Sequence, residues 1–221
     1  MHDLPRHIDG YGPVRPQGPV AAPCRSKLRA DLDAAIAACD LSDGATVSFH
    51  HHLRNGDAVL NMVLDRLAAR GLKDLHVAAT SIFPVHAPLI EHIRTGTVTR
   101  LSASFISGPV GEAISRGLVP HPVVLRTHGG RARALDMGEL QVDAAFVAAP
   151  ASDEMGNLSG RIGPAACGTL GYPLTDIEVA HNVVAVTDTL VPFPAPAIDI
   201  PQGKVHHVVA VDRIGDPSGI A

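Results

Sequence analysis

Tryptophan is absent from the 221 residues, and aromatic side chains make up only 3% of them. A core without large rings must be built from Ala, Val, Leu and Ile, and a hydrophobic content of 46% is ample for one. Cysteine is scarce as well. Cys24, Cys39 and Cys167 are odd in number and widely spaced, which gives neither a disulfide framework nor a zinc-ligand pattern and fits a reduced compartment. No apolar run approaches the ~20 residues needed to span a bilayer. The first residues, with Asp3, Pro5, Arg6 and His7, lack the apolar stretch of a secretory signal. A cytoplasmic location without a membrane partner is expected. Excess positive charge is also missing: a formal net charge of −4 argues against a nucleic-acid partner and leaves room for a local cationic pocket.

What is present is a repeating strand–helix pattern. Residues 1–24 are rich in proline and glycine (Pro5, Gly10, Gly12, Pro13, Pro16, Gly18, Pro19 and Pro23) and read as an irregular extension that can form neither a helix nor a central strand. From residue 25 to 221 one α/β domain is expected. Ser26 reads as the cap of a first helix, with Leu28, Leu32, Ala35 and Ile36 at helical spacing. Strand ends then recur near residues 49, 79, 105, 127, 148, 187 and 211. Gly71, Gly96, Gly117 and Gly138 stop the helices between them. Continuous apolar strands alternating with amphipathic helices indicate a parallel sheet covered on both faces, a Rossmann-like α/β fold.

In such a fold, ligands bind beyond the carboxyl ends of the strands. The first strand, Thr46–Phe49, runs into His50, His51, His52, Arg54, Asn55 and Gly56 before Asp57 starts a helix. Alternation along a strand puts His50 and His52 on one face and His51 on the other. No carboxylate or cysteine stands at a metal-ligand spacing, so no metal is assigned, and the histidines read as oxyanion partners beside the fixed cation Arg54. Gly56 permits a tight turn whose free N–H groups could hold an anion. Ser107 and Gly108 open a second helix of the same kind. In the run His128, Gly129, Gly130, Arg131, the two glycines allow a nest of amides and Arg131 offers a bidentate fork. It is not a phosphate-binding P-loop, because the Lys-Ser/Thr end is missing. The inventory suits a polycarboxylate or an acyl-phosphopantetheine and does not by itself reveal a reaction.

The runs Ser48–Asp57, Ser81–Pro88, Ile106–Val110 and Thr127–Ala134 resemble the α subunit of citrate lyase, as do Ala166–Tyr172 and Ile8–Pro16. The resemblance implies the coenzyme A transferase fold. It also implies a citrate:acetyl-carrier-protein transferase, which exchanges acetyl for citryl on a phosphopantetheine thioester and releases acetate. No cofactor would be held tightly by this subunit; the coenzyme A-like group would sit on the carrier protein. The partners implied are a β subunit that cleaves citryl thioester to oxaloacetate, a γ subunit that carries the prosthetic group, and citrate itself.

The family's α subunit is about twice as long and has a second α/β domain, so a homo-oligomer or a partner supplying the other half is expected. On this reading His50 or His52 stabilises the oxyanion and Arg54 and Arg131 take citrate carboxylates. The Gly129-Gly130 nest holds a carboxylate or the phosphopantetheine phosphate, and Asn55, Gly56, Ser107, Gly108 and His128 complete the substrate contacts. The alternatives are a non-catalytic half-domain that assembles with the lyase partners, a citramalate lyase α-type transferase, or a phosphosugar isomerase or deaminase on a related fold.

Overall fold

A computed structural model describes residues 26–220, together with one short antiparallel pair, His7–Ile8 with Gly12–Pro13. The rest of the extension expected over 1–24, Cys24 included, lies outside the described residues. Eight strands form a single all-parallel sheet. They are β1 (Leu28–Arg29), β2 (Thr46–Phe49), β3 (Leu75–Ala79), β4 (Val98–Ala103), β5 (Val124–Leu125), β6 (Ala144–Ala149), β7 (Asn182–Thr187) and β8 (His207–Ala210). Their spatial order is β1-β8-β7-β6-β2-β3-β4-β5.

Helices α1 (Leu32–Ala38), α2 (Val59–Ala69), α3 (Leu89–Arg94) and α4 (Gly108–Ser115) pack on one face. Helices α5 (His128–Asp136) and α6 (Pro173–Val179) pack on the other. The split follows from parallel connectivity, because right-handed crossovers place their helices on opposite faces once the direction of travel across the sheet reverses. Val47, Phe49, Leu75, Val77, Phe146, Val184 and Val186 pack on the first face beside Ala79, Ala144 and Ala148. The second carries Ala78, Ala145, Ala149 and Ala185 beside Val147, Val183 and Val208. Ser48 lies level with Ala78 and Ala145 in the register, on this second face.

The expected first helix needs a correction. Leu28 and Arg29 form edge strand β1, which pairs with β8, and α1 starts at Leu32 with Asp31 as its cap, accepting from the Ala34 N–H at 2.7 Å. Ser26 Oγ only accepts a local 3.3 Å bond from the Leu28 N–H. Pairing with a neighbouring strand outweighs the helical spacing of Leu28. Asp57 does act at the start of α2, accepting from the Leu60 N–H at 3.1 Å.

Candidate active site at the switch point

Leaving β2, the chain builds outward through β3, β4 and β5, then returns to β6 on the other side of β2 and continues to β8. The carboxyl ends of β2 and β6 therefore flank a topological switch point, where an open parallel sheet leaves a crevice. The histidine loop lies there. A cleft of about 670 Å³ opens above it, lined by His51, His52, Arg54, Phe83, Cys167 and Tyr172 among others.

Two segments close over this cleft. After β6, the chain forms a small antiparallel pair, Ala151–Ser152 with Leu158–Ser159. It then doubles back so closely that a Cβ on Gly160 would lie 1.9 Å from the Gly168 carbonyl oxygen. The amides of Cys167 and Gly168 both donate to the Gly160 carbonyl, at 2.8 and 3.1 Å, which brings Ala166, Cys167 and Thr169 to the cleft wall. Asp153, fully buried, anchors the base of this excursion by accepting from the Met155, Asn157 and Ala195 amides and from the Asn157 side chain at 2.7–3.0 Å. Burial opposes its ionisation, but these donors outweigh that and hold the carboxyl below its ordinary range. The second segment follows β8: Pro217 and Ile220 line the cleft.

The histidines divide two and one: the His50 and His52 rings stack, centroids 6.4 Å apart, and His51 points elsewhere. Ser48 and His50 continue the inward alternation of β2, so His50 is 6% exposed and lies 3.2 Å from Asp176 Oδ2. That contact has the distance but not the angle of a hydrogen bond, and neither ring nitrogen has a hydrogen-bond partner. His52 donates from Nε2 to the Ala148 carbonyl at 2.6 Å, leaving a buried, unpartnered lone pair on Nδ1. His51 is the one held by a side chain at the cleft wall. Its Nδ1 is 2.7 Å from Thr80 Oγ1, and its ring centroid lies 4.2 Å from that of Tyr172 and 5.3 Å from that of His128. Burial pushes both His51 and His52 down to about 4, helped for His51 by His128 and for His52 by His50, so both rings are neutral near pH 7.

Arg54 is exposed at the cleft and makes no ion pair among the described residues. Its φ of +49° places a non-glycine residue in the left-handed region, a local strain at the rim of a site. Arg131 behaves differently. It is 4% exposed, clamps Asp176 with two bonds of 2.7 and 2.5 Å and donates to the Ala78 carbonyl at 3.1 Å. Ser48 Oγ donates to the same carboxylate at 2.6 Å. Burial disfavours the Asp176 charge, but His50 and Arg131 outweigh it and hold the carboxyl far below its usual range. The fork expected to take citrate is already occupied by this aspartate.

The other expected contacts spread out. Gly56 is a point of close approach: its N–H donates to the Leu53 carbonyl at 2.9 Å, and a Cβ there would lie 2.3 Å from the Asp216 carbonyl oxygen. It is no open anion site. Asn55 accepts from the Val85 N–H at 3.0 Å. Ser107 and Gly108 line a separate surface hollow at the start of α4, and Gly108, at φ +66°, fits against Pro84. The pair Gly129-Gly130 forms no nest. Both lie in the first turn of α5, where Thr127 Oγ1 accepts the Gly130 N–H at 3.0 Å. Together with His128 and Arg131, Gly129 lines a smaller surface hollow that shares Tyr172 with the main cleft.

Sequence reasoning missed Tyr172, Cys167 and Asp176. The first two stand in a run quoted only for its resemblance, and an acid inside a helical pattern reads as solvent-facing; Thr80 ends a strand whose loop reads as a source of hydroxyls. Burial, then the nearby Asp199 charge, pushes the Cys167 thiol up to about 11, so it lines the cleft as a neutral group.

The fold is a parallel α/β fold of the kind that coenzyme A transferases have. Glutaconate coenzyme A-transferase from Acidaminococcus fermentans shares the fold with a TM-score of 0.61 at 14% identity, over 84% of this chain and 75% of that one. A family model described as the citrate lyase alpha subunit matches residues 25–221, and the chain belongs to that family. The citrate lyase alpha chain of Escherichia coli K12 is 47% identical over 194 residues, 88% of this chain and 38% of the relative. That of Klebsiella pneumoniae is 40% identical over 221 residues, 98% of this chain and 44% of the relative. A structure described as the alpha subunit of citrate lyase from Streptococcus mutans in complex with citrate superposes with a TM-score of 0.86 at 46% identity, over 99% of this chain and 42% of that one. The chain thus spans about two-fifths of the length of these relatives. Among the described residues no helix is long and apolar enough to cross a membrane.

Proposed function

We propose that the cleft at the β2/β6 switch point binds citrate and that the chain takes part in citrate:acetyl-carrier-protein exchange beside the β and γ partners of a citrate lyase. The observation that carries the reading is the placement of Arg54, a cation without an ion pair among the described residues, and two neutral histidines on one cleft of about 670 Å³, within a chain of this family. Three carboxylates need a fixed cation and hydrogen-bond donors before they can approach a thioester.

In the exchange, a citrate carboxylate oxygen adds to the acetyl carbonyl. The C–S bond breaks, leaving a mixed anhydride and a thiolate. The thiolate then adds to the citryl carbonyl and acetate leaves with its electron pair. Each addition builds charge on a carbonyl oxygen, which pre-oriented N–H donors stabilise. His50 is buried away from the cleft and the Nε2–H of His52 is spent on Ala148. The donor role therefore falls to His51. If the Thr80 hydroxyl donates to Nδ1, the His51 proton sits on Nε2, which has no partner among the described residues.

The test is acyl exchange by intact mass: the purified chain, acetylated carrier protein and labelled citrate. Citryl carrier protein formed by the chain alone means that it builds a complete site. Product only after adding the remaining portion of a longer relative means that the cleft is shared with a second domain, as the span of two-fifths of those relatives allows. No product in either mixture, with phosphosugar turnover in its place, would overturn the reading.

A further inference from the structure

A single hydrogen bond holds the ring of His51. Thr80 Oγ1 fixes Nδ1 at 2.7 Å, and an imidazole tied at one atom can still swing about it. Two further rings remove that freedom. Tyr172 and His128 lie 4.2 and 5.3 Å from His51 between centroids, inclined at 57° and 60°, and 5.1 Å from each other. The three rings therefore form a closed triangle in the tilted arrangements that aromatic groups favour. We propose that Tyr172 is a positioning residue for the exchange: its ring, and not its hydroxyl, fixes the plane of His51 so that Nε2 is presented to the cleft. The inference rests on His51 being the oxyanion donor, and it adds the residue that aims it.

A buried network under the triangle holds it in place. Tyr172 stands at the N-cap of α6, and Asp176, one helical turn on, shares its side of the helix. His128 opens α5, with Arg131 one turn on. Ser48, on β2, precedes His51 by three residues. Asp176 takes two bonds from Arg131 and one from Ser48, all buried, at 2.5–2.7 Å. Each ring thus lies within four residues of one arm of a single network, and that network ties together the three elements that carry the rings. Pro173, buried in the first turn of α6, fixes the backbone beside Tyr172. The tip of Tyr172 is not held in this way: the residue is 44% exposed, and its hydroxyl makes no hydrogen bond among the described residues. What the fold fixes is the ring.

The charged and titratable groups that face His51 are His50 and Arg54 on its own loop and His128 and Arg131 on α5, all opposing a second proton. Thr80, on the chain leaving β3, is neutral. Tyr172→Leu keeps all of these and removes the ring that shields His51 from water. Less burial lets the imidazole charge more readily, so its midpoint rises from about 4. We would follow the His51 ring resonances by NMR from about pH 7.5 to 5, identified by their loss in His51→Asn. The parent ring should stay neutral over most of that range. In Tyr172→Leu its midpoint should rise by about one pH unit or more, while Tyr172→Phe should match the parent. In whichever mixture the parent supports exchange, Tyr172→Leu should lose kcat about tenfold or more with citrate KM little changed, and Tyr172→Phe should restore it. A Tyr172→Phe chain as impaired as Tyr172→Leu would overturn the proposal, because the hydroxyl would then be the working group. So would a folded Tyr172→Leu chain that keeps the parent kcat or the parent His51 titration. The titration needs neither citrate nor carrier protein, so failure of the exchange reading would appear in the mass assay and leave this result standing.

Discussion

At the residue scale, the site depends on which side of a strand each histidine falls. Alternation places His50 and His52 together and His51 apart, and it holds: His50 follows Ser48 onto the α5/α6 face and stacks with His52, ring centroids 6.4 Å apart. Where the chain leaves β2, His52 also reaches the Ala148 carbonyl. His51 is left at the cleft, held by Thr80. His51→Asn should therefore lower the exchange kcat by about 10²–10³-fold with little change in citrate KM, the loss typical of an oxyanion donor; an equal loss in His50→Asn and none in His51→Asn would refute the assignment. The Arg131–Asp176 pair belongs to the same scale. Asp176→Asn leaves a guanidinium buried without its counter-charge, and removing one partner of such a pair costs about 3–5 kcal/mol. Urea unfolding should show that loss; a change below about 1 kcal/mol would mean that the network contributes little. No sequence signal revealed this pair, since Ser48, Arg131 and Asp176 come from β2, α5 and α6 and meet only once the sheet has formed.

At the element scale, the strand–helix alternation was readable because its signals are local. Apolar runs end in glycines that adopt positive φ at Gly71, Gly96, Gly117 and Gly138, and these fix where α2, α3, α4 and α5 stop. Edge strand β1 was not readable, because two residues paired only to β8 carry no periodicity of their own. The closing segments were unreadable for a related reason: their positions come from backbone contacts between distant glycines. Residues 214–220 are held against the start of α2 by Ala58 N–H donating to the Ile214 carbonyl at 2.9 Å and Asp216 N–H donating to the Gly56 carbonyl at 2.8 Å. Gly56→Ala places a methyl where the Asp216 carbonyl lies. Overpacking of this kind costs about 1–3 kcal/mol, and here the segment can yield by lifting off. Hydrogen exchange should show the Ala58 and Asp216 amides losing protection together. Unchanged protection at both would mean that the segment is held elsewhere.

For the whole molecule, the burial that keeps the cleft histidines neutral has a consequence in acid. His51, His52 and His76 are each pushed from 6.5 down to about 4, chiefly by burial. Between those values the unfolded chain binds protons that the folded chain refuses, so stability is full above about pH 6.5 and falls as pH drops toward 4. Asp153 and Asp176 act lower. Their folded values lie beneath the ordinary 3.8, so their contribution persists through the histidine window and is lost only in stronger acid. Each proton taken up on unfolding contributes about 1.4 kcal/mol per pH unit to the slope, with solvent screening trimming the share of the half-buried His51 and His76. Urea midpoints measured from pH 7.5 to 4.5 should therefore hold level above pH 6.5 and then decline. His76 is bonded to Ser102 at 3.0 Å well away from the cleft, so His76→Gln should make the decline shallower by close to one proton while leaving citrate binding intact. A midpoint that stays flat down to pH 5 would show that these rings protonate freely in the folded chain. The cleft would then meet citrate with charged histidines, and oxyanion stabilisation would have to be reconsidered as charge pairing.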